Sequence, residues 1–126
     1  MTPAVPQPAA QPSPDDYGLV LTTAASEAEA QTLAQALVTQ QLAACVNFFP
    51  IHSVYTWQGT VESSPEWQLY IKTRRSHFPA IQTLFTAIHS YEVPELILIP
   101  LTAASSPYLH WMAAQTQAAP ASTGPD

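Results

Sequence analysis

No stretch of the chain restricts its fold more than residues 44–73, ACVNFFPIHSVYTWQGTVESSPEWQLYIKT, which read as two long strands about one tight turn at Gln58-Gly59. Gly59 is the only glycine between Gly18 and Gly124. On the return arm Trp67, Leu69, Ile71 and Thr73 share one face and Glu66, Gln68, Tyr70 and Lys72 the other, the period of two of a half-buried strand. Ser53, Tyr55 and Trp57 alternate in the same way with His52, Val54 and Thr56 on the outgoing arm. At about 3.3 Å per residue the outgoing arm would reach about 46 Å. A compact domain of about 110 residues is only about 35 Å across. The hairpin must therefore bend or overhang its own body, with irregularities expected at Pro50 and Pro65 because proline cannot donate to a ladder. An overhang carrying Tyr55, Trp57 and Trp67 would be an apolar edge suited to pairing with another chain. The arm is read as an oligomerisation element.

The length of 126 residues allows one domain with one core. Only 10% of the residues are charged, which again favours burial of surface between subunits. With a net charge of −6 and Lys72, Arg74 and Arg75 as the only basic residues, the chain is poorly equipped for nucleic acid or an anionic membrane. The single cysteine, Cys45, excludes an intrachain disulfide and makes a reducing compartment the default. The first residues have neither a basic region nor an apolar run, so no secretory signal is expected, and no window is long and apolar enough for a membrane helix. A cytoplasmic location is expected.

Residues 1–16 hold five prolines among Gln, Ala and Ser and are expected to be a disordered tail, as are residues 117–126. The domain should occupy residues 17–116. Tyr17 to Thr23 reads as a central strand. Ser26 with Glu29 forms a capping-box signature. It opens a helix to about Gln41 with Ala30, Leu33, Ala34, Leu37 and Val38 on its apolar face. After the hairpin, Ser76 is the expected cap of a second helix with Pro79 in its first turn, ending near Ser90. Leu96 to Ile99 has the length of a strand, and Ser106-Pro107 opens a last helix. The order β-α-β-β-α-β plus a C-terminal helix is the α+β, ferredoxin-like pattern, a four-stranded antiparallel sheet with two helices on one face.

Several segments together resemble the CutA (CutA1) divalent-cation-tolerance family. They are Ala28 to Leu33, Leu42-Ala43-Ala44-Cys45-Val46, Tyr55, Trp57 and Gly59 with Glu62 and Glu66, Ile71-Lys72-Thr73, His89-Ser90-Tyr91-Glu92-Val93-Pro94-Glu95, and Tyr108-Leu109 with Trp111. The resemblance spans roughly residues 17–116 and implies a PII-like homotrimer built through the long hairpin, with no catalytic turnover. Two departures stand out: Ser90 replaces the proline of a usual His-Pro-Tyr, and Thr60 replaces the lysine that commonly follows the hairpin glycine. Some members carry a cysteine in the first strand and two adjacent histidines, proposed as copper ligands. Those positions are Thr22, Ile88 and His89 here.

What remains for a metal is His89 with Glu92 and Glu95. This set is incomplete for copper, so binding of Cu²⁺ or another divalent ion is expected to be weak, of micromolar order. The place of His89 at a helix end also favours a cationic imidazole. No cofactor is required. His52, His77 and His110 form no ligand pair and read as structural or surface residues. Cys45 reads as a small buried residue. Glu62 and Glu66 are most simply solvated, and Lys72 should pair with a carboxylate if it is covered. An alternative function is a PII-like sensor of a small anionic ligand at clefts between subunits, with Lys72, Tyr91 and Glu92 as cleft candidates and Arg74 or Arg75 meeting the anion. An acylphosphatase-like enzyme is disfavoured, since Ala24-Ala25-Ser26 supplies neither the glycine nor the arginine of a phosphate cradle.

Overall fold

In the computed structural model, which describes residues 11–117, a four-stranded antiparallel sheet has the order β2-β3-β1-β4. The strands are β1 (Tyr17–Ala24), β2 (Cys45–Trp57), β3 (Thr60–Arg74) and β4 (Ile97–Pro100), and the helices are α1 (Glu27–Thr39), α2 (Phe78–Ile88) and α3 (Ser106–Gln115). This is the expected ferredoxin-like order with a terminal helix. The expectations for residues 1–10 and 118–126 lie outside the described residues.

The hairpin pairs without interruption from Cys45 with Lys72 to Trp57 with Thr60. Gln58 and Gly59 both have positive φ, 51° and 80°, as a two-residue type I′ turn requires. No bulge occurs at either proline, contrary to expectation, and the pairing parity explains why. Pairs flanking a two-residue turn exchange hydrogen bonds, and alternate pairs then do not. Pro50 opposite Trp67 and Pro65 opposite His52 both fall on non-bonded pairs. The amide position of Pro50 faces the open edge of the sheet. That of Pro65 faces the side where β1 has already ended, because β1 covers β3 only from Trp67 to Arg74. Residues 60–66 thus overhang by about 23 Å, as the arm length demanded.

One face of the sheet carries the core. Val20, Ala24, Leu69 and Ile71 pack against Ala30, Leu33 and Leu37 of α1 and Ile81 and Phe85 of α2. Ser26 caps α1 by accepting from the Glu29 N–H at 3.1 Å, while the Glu29 carboxylate reaches back to the Ala25 N–H at 3.0 Å. The helix ends two residues before Gln41. Leu42 N–H bonds to Leu37 O and Gln41 N–H to Val38 O, with Gln41 at φ 59°, so a Schellman turn is built on a glutamine.

Three boundaries differ from expectation. Ser76 is not a cap: Arg75–His77 forms a 3-10 turn whose backbone enters α2 directly, leaving Pro79 in the first turn. Ser105, one residue earlier than expected, caps α3 by accepting from the Tyr108 N–H. The last part of the expected tail, Pro14–Asp16, is a 3-10 turn, and Arg75 donates to Pro14 O at 3.3 Å.

The second face is only partly covered. α3 packs Leu109 and Met112 against Tyr17 and Ala44 at one end. Beyond it Phe49, Tyr70, Ile97 and Ile99 are each more than a third exposed.

Candidate functional site

Where the hairpin overruns β1, its second face meets residues 91–95 across a cleft of about 490 Å³. Strand alternation puts Ile51, Ser53, Tyr55 and Trp57 of β2 and Glu66 and Gln68 of β3 on that one face. Thr23 at the end of β1 closes the floor, and Tyr91, Val93 and Glu95 form the opposite wall. Glu66 is 6% exposed and accepts a hydrogen bond from the Tyr91 hydroxyl at 2.6 Å. Burial, and then the bond to Glu66 and its negative charge, push the Tyr91 phenol well above its ordinary pKa, so Tyr91 stays the donor. Gln68 Nε2 donates to Glu95 Oε2 at 3.0 Å and to Thr22 O at 2.9 Å, holding a second carboxylate at the cleft. Among the described residues no lysine, arginine or histidine lines it.

The loop that carries Tyr91 is pinned from α1. Ser90 donates from its N–H to Glu29 Oε2 at 2.8 Å and from its hydroxyl to Glu29 Oε1 at 2.9 Å. The N–H bond is one that a proline at this position could not make. Burial alone would raise the Glu29 pKa, but the donors from Ala25 and Ser90 outweigh it and hold the carboxyl below the ordinary range.

His89 is committed to the same loop. Its Nδ1 accepts from the Tyr91 N–H at 3.0 Å, so Nε2 carries the proton that it donates to Thr23 O at 2.8 Å. Both imidazole nitrogens are thus occupied by bonds within the chain. Glu95 is held by Gln68, and Glu92 lies exposed outside the cleft. Among the described residues no three His, Cys, Asp or Glu side chains converge as a metal site, so His89, Glu92 and Glu95 do not form a ligand set within one chain.

The cleft candidates Lys72, Tyr91 and Glu92 are not brought together either. Lys72 is six residues along β3 from Glu66, about 20 Å away. It is half-buried, and its ammonium lies over the Tyr108 ring, 5.8 Å from the centroid, so an aromatic face stands where a carboxylate was expected. Arg74 donates to Thr116 Oγ1 and Ala113 O and stacks on Tyr17. Arg75 donates to the carbonyls of Tyr17, Pro14 and Leu101. Both guanidinium groups tie chain segments together rather than facing a cleft. Cys45 is half-buried with Asn47 Oδ1 4.0 Å from its sulfur, and His77 is buried with Nδ1 on Leu42 O.

Sequence reasoning missed the burial of Glu66, and with it Gln68, Tyr55 and Val93 as parts of one site. The available signal was the alternation that sets Glu66 beside Gln68 on the face away from the core. Nothing local shows that the 91–95 loop covers that face only at its Glu66 end.

A family model described as CutA1 divalent ion tolerance protein matches residues 18–115. The divalent-cation tolerance protein CutA of Thermus thermophilus is 41% identical over 99 residues, spanning 78% of this chain and 96% of its own. Protein CutA of Homo sapiens is 36% identical over 120 residues, covering 91% of this chain and 67% of its own length. Among solved structures, the periplasmic divalent cation tolerance protein CutA of Archaeoglobus fulgidus superposes with a TM-score of 0.78 at 34% identity, over 80% of this chain and 99% of that one. CutA1 of Oryza sativa gives 0.79 at 36% identity, over 83% and 98%.

Proposed function

The chain belongs to the CutA1 divalent ion tolerance family, and from that premise we propose that it is a non-catalytic, cytoplasmic homotrimer of divalent-cation tolerance that binds Cu²⁺ or a similar ion weakly. The observation that carries this reading is the match over nearly the whole folded body, residues 18–115. The names of the relatives carry no catalytic activity. The open second face supports assembly, since Phe49, Tyr70, Ile97 and Ile99 form an apolar surface that a neighbouring sheet would cover. No helix among the described residues is long and apolar enough to cross a membrane.

A metal would be held by Glu92 and Glu95 with groups from a neighbouring chain. His89 could join only by giving up its bonds to Thr23 and Tyr91. Such a site is weak, because copper favours several nitrogen ligands. Titration calorimetry with CuCl₂ should give a dissociation constant of about 1 µM or weaker, and Glu92→Gln should weaken it further. Nanomolar affinity, or affinity untouched by Glu92→Gln, would overturn this placement of the metal. The anion-sensor alternative has less support, since Arg74 and Arg75 are spent on the chain's own carbonyls.

A further inference from the structure

We propose that Lys72 of one chain pairs with Glu62 on the hairpin overhang of the next, a tip-to-base contact repeated around the assembly. This rests on the homotrimer reading and names the charged contact that decides which end of one chain meets which end of its neighbour.

The chain has 3 basic side chains, and two of them are committed within it. Arg74 and Arg75 donate to carbonyls and a hydroxyl of their own chain. Lys72, the only lysine, has its ammonium over the Tyr108 ring and no carboxylate at ion-pair distance among the described residues. The cation left for a pair between copies is therefore Lys72. Of the two carboxylates on the overhang, Glu66 is buried and engaged by Tyr91, and Glu62 is exposed. Glu62 stands opposite Tyr55 in the hairpin register, and strand alternation puts it on the same sheet face as Lys72. Ten positions of β3 separate the two, about 33 Å, so they cannot meet within one chain. Aromatic surface surrounds the charge at both ends. Tyr55 and Trp57, each 42% exposed, accompany Glu62, while Tyr108 and Trp111, 38% and 42% exposed, stand at the Lys72 end. Laying tip on base covers aromatic rings of both copies, and the opposite charges fix the register between them. Glu27 and Glu29 do not compete for this role, because they belong to α1 on the other face of the sheet. A contact between two different patches is heterologous, so one such pair at each interface closes a ring of chains.

The test is cross-linking of the intact protein with a water-soluble carbodiimide, which joins an amine directly to a carboxylate with no spacer. Denaturing gels should show linked chains up to the trimer, and mass spectrometry of the tryptic peptides should find Lys72 joined to Glu62. Lys72→Arg, which keeps the charge but offers no amine, and Glu62→Gln should each remove that link. Charge reversal provides a second reading. Lys72→Glu and Glu62→Lys should each raise the concentration at which the assembly dissociates by about tenfold or more, and the two together should restore most of the loss. An assembly of trimer mass by light scattering with no Lys72–Glu62 link, or a double reversal as weak as the single ones, overturns this inference and leaves the trimer reading standing. Linked species that stop at the dimer overturn the ring, since a two-fold pair would exchange both contacts between the same two chains. A monomer mass for the parent removes the trimer reading itself.

Discussion

Thr22 and Glu29 show how single side chains set the stability of this body. Thr22 is fully buried on the core face of β1, and its hydroxyl has no hydrogen-bond partner among the described residues. Removing an unpaired buried hydroxyl while keeping the shape relieves its desolvation cost. Thr22→Val should stabilise the protein by about 1 kcal/mol, read as a higher urea midpoint; a lower midpoint would mean the hydroxyl is satisfied. Glu29 joins α1 to the loop after α2 through Ala25 and Ser90. Its folded pKa lies below the ordinary 4.5, so its contribution is complete above that pH and falls away as pH drops through the depressed folded value. Glu29→Gln should lower the midpoint most above about pH 4.5, with the difference from the parent shrinking on acidification. A difference that grew at low pH would contradict the sign.

Two turns with positive φ make opposite predictions for the elements they end. Gly59 at φ 80° closes the hairpin, and a Cβ there would meet nothing within 4 Å. Gly59→Ala should therefore cost only the backbone strain, about 1 kcal/mol. Gln41 at φ 59° closes α1 with a residue that tolerates the left-handed region poorly. Gln41→Gly keeps the backbone bonds to Val38 and from Gln117 and should raise stability by about 1 kcal/mol. Urea midpoints moving in the same direction for both substitutions would refute this account of the turns.

The largest unmet demand of the molecule is its second face. β4 alternates between Leu98, packed on the core, and Ile97 and Ile99, 48% and 42% exposed. A strand apolar on both sides is expected only where both sides are covered. At about 25 cal/mol per Å² of apolar surface, covering this face and the overhang would contribute several kcal/mol per chain. Ile99→Asp and Trp57→Asp should each reduce the mass measured by light scattering, and the dependence of unfolding on protein concentration that assembly gives the parent should be lost in the dissociated variants. A parent protein of monomer mass at micromolar concentration would end the trimer reading.

The hairpin, its turn, the α1 cap and the order of elements were legible along the chain, because each depends on residues a few positions apart: alternation, a positive-φ glycine, Ser26 with Glu29. The overhang followed from arm length alone. Local pattern failed where long-range pairing set the outcome. Pro50 and Pro65 needed no bulge because their parity relative to the turn, and the end of β1 at Ala24, left their amide positions without partners to lose. His89 lost its promise as a ligand because Thr23, 66 positions earlier, and the Tyr91 backbone claim both nitrogens. Glu66 looked solvated on its strand, yet it is buried because the 91–95 loop folds over that end of the sheet and Tyr91 reaches it from 25 residues away. Burial and hydrogen-bond partners are properties of what lies across a gap in space, and a strand's own alternation carries only the side from which the partner must come.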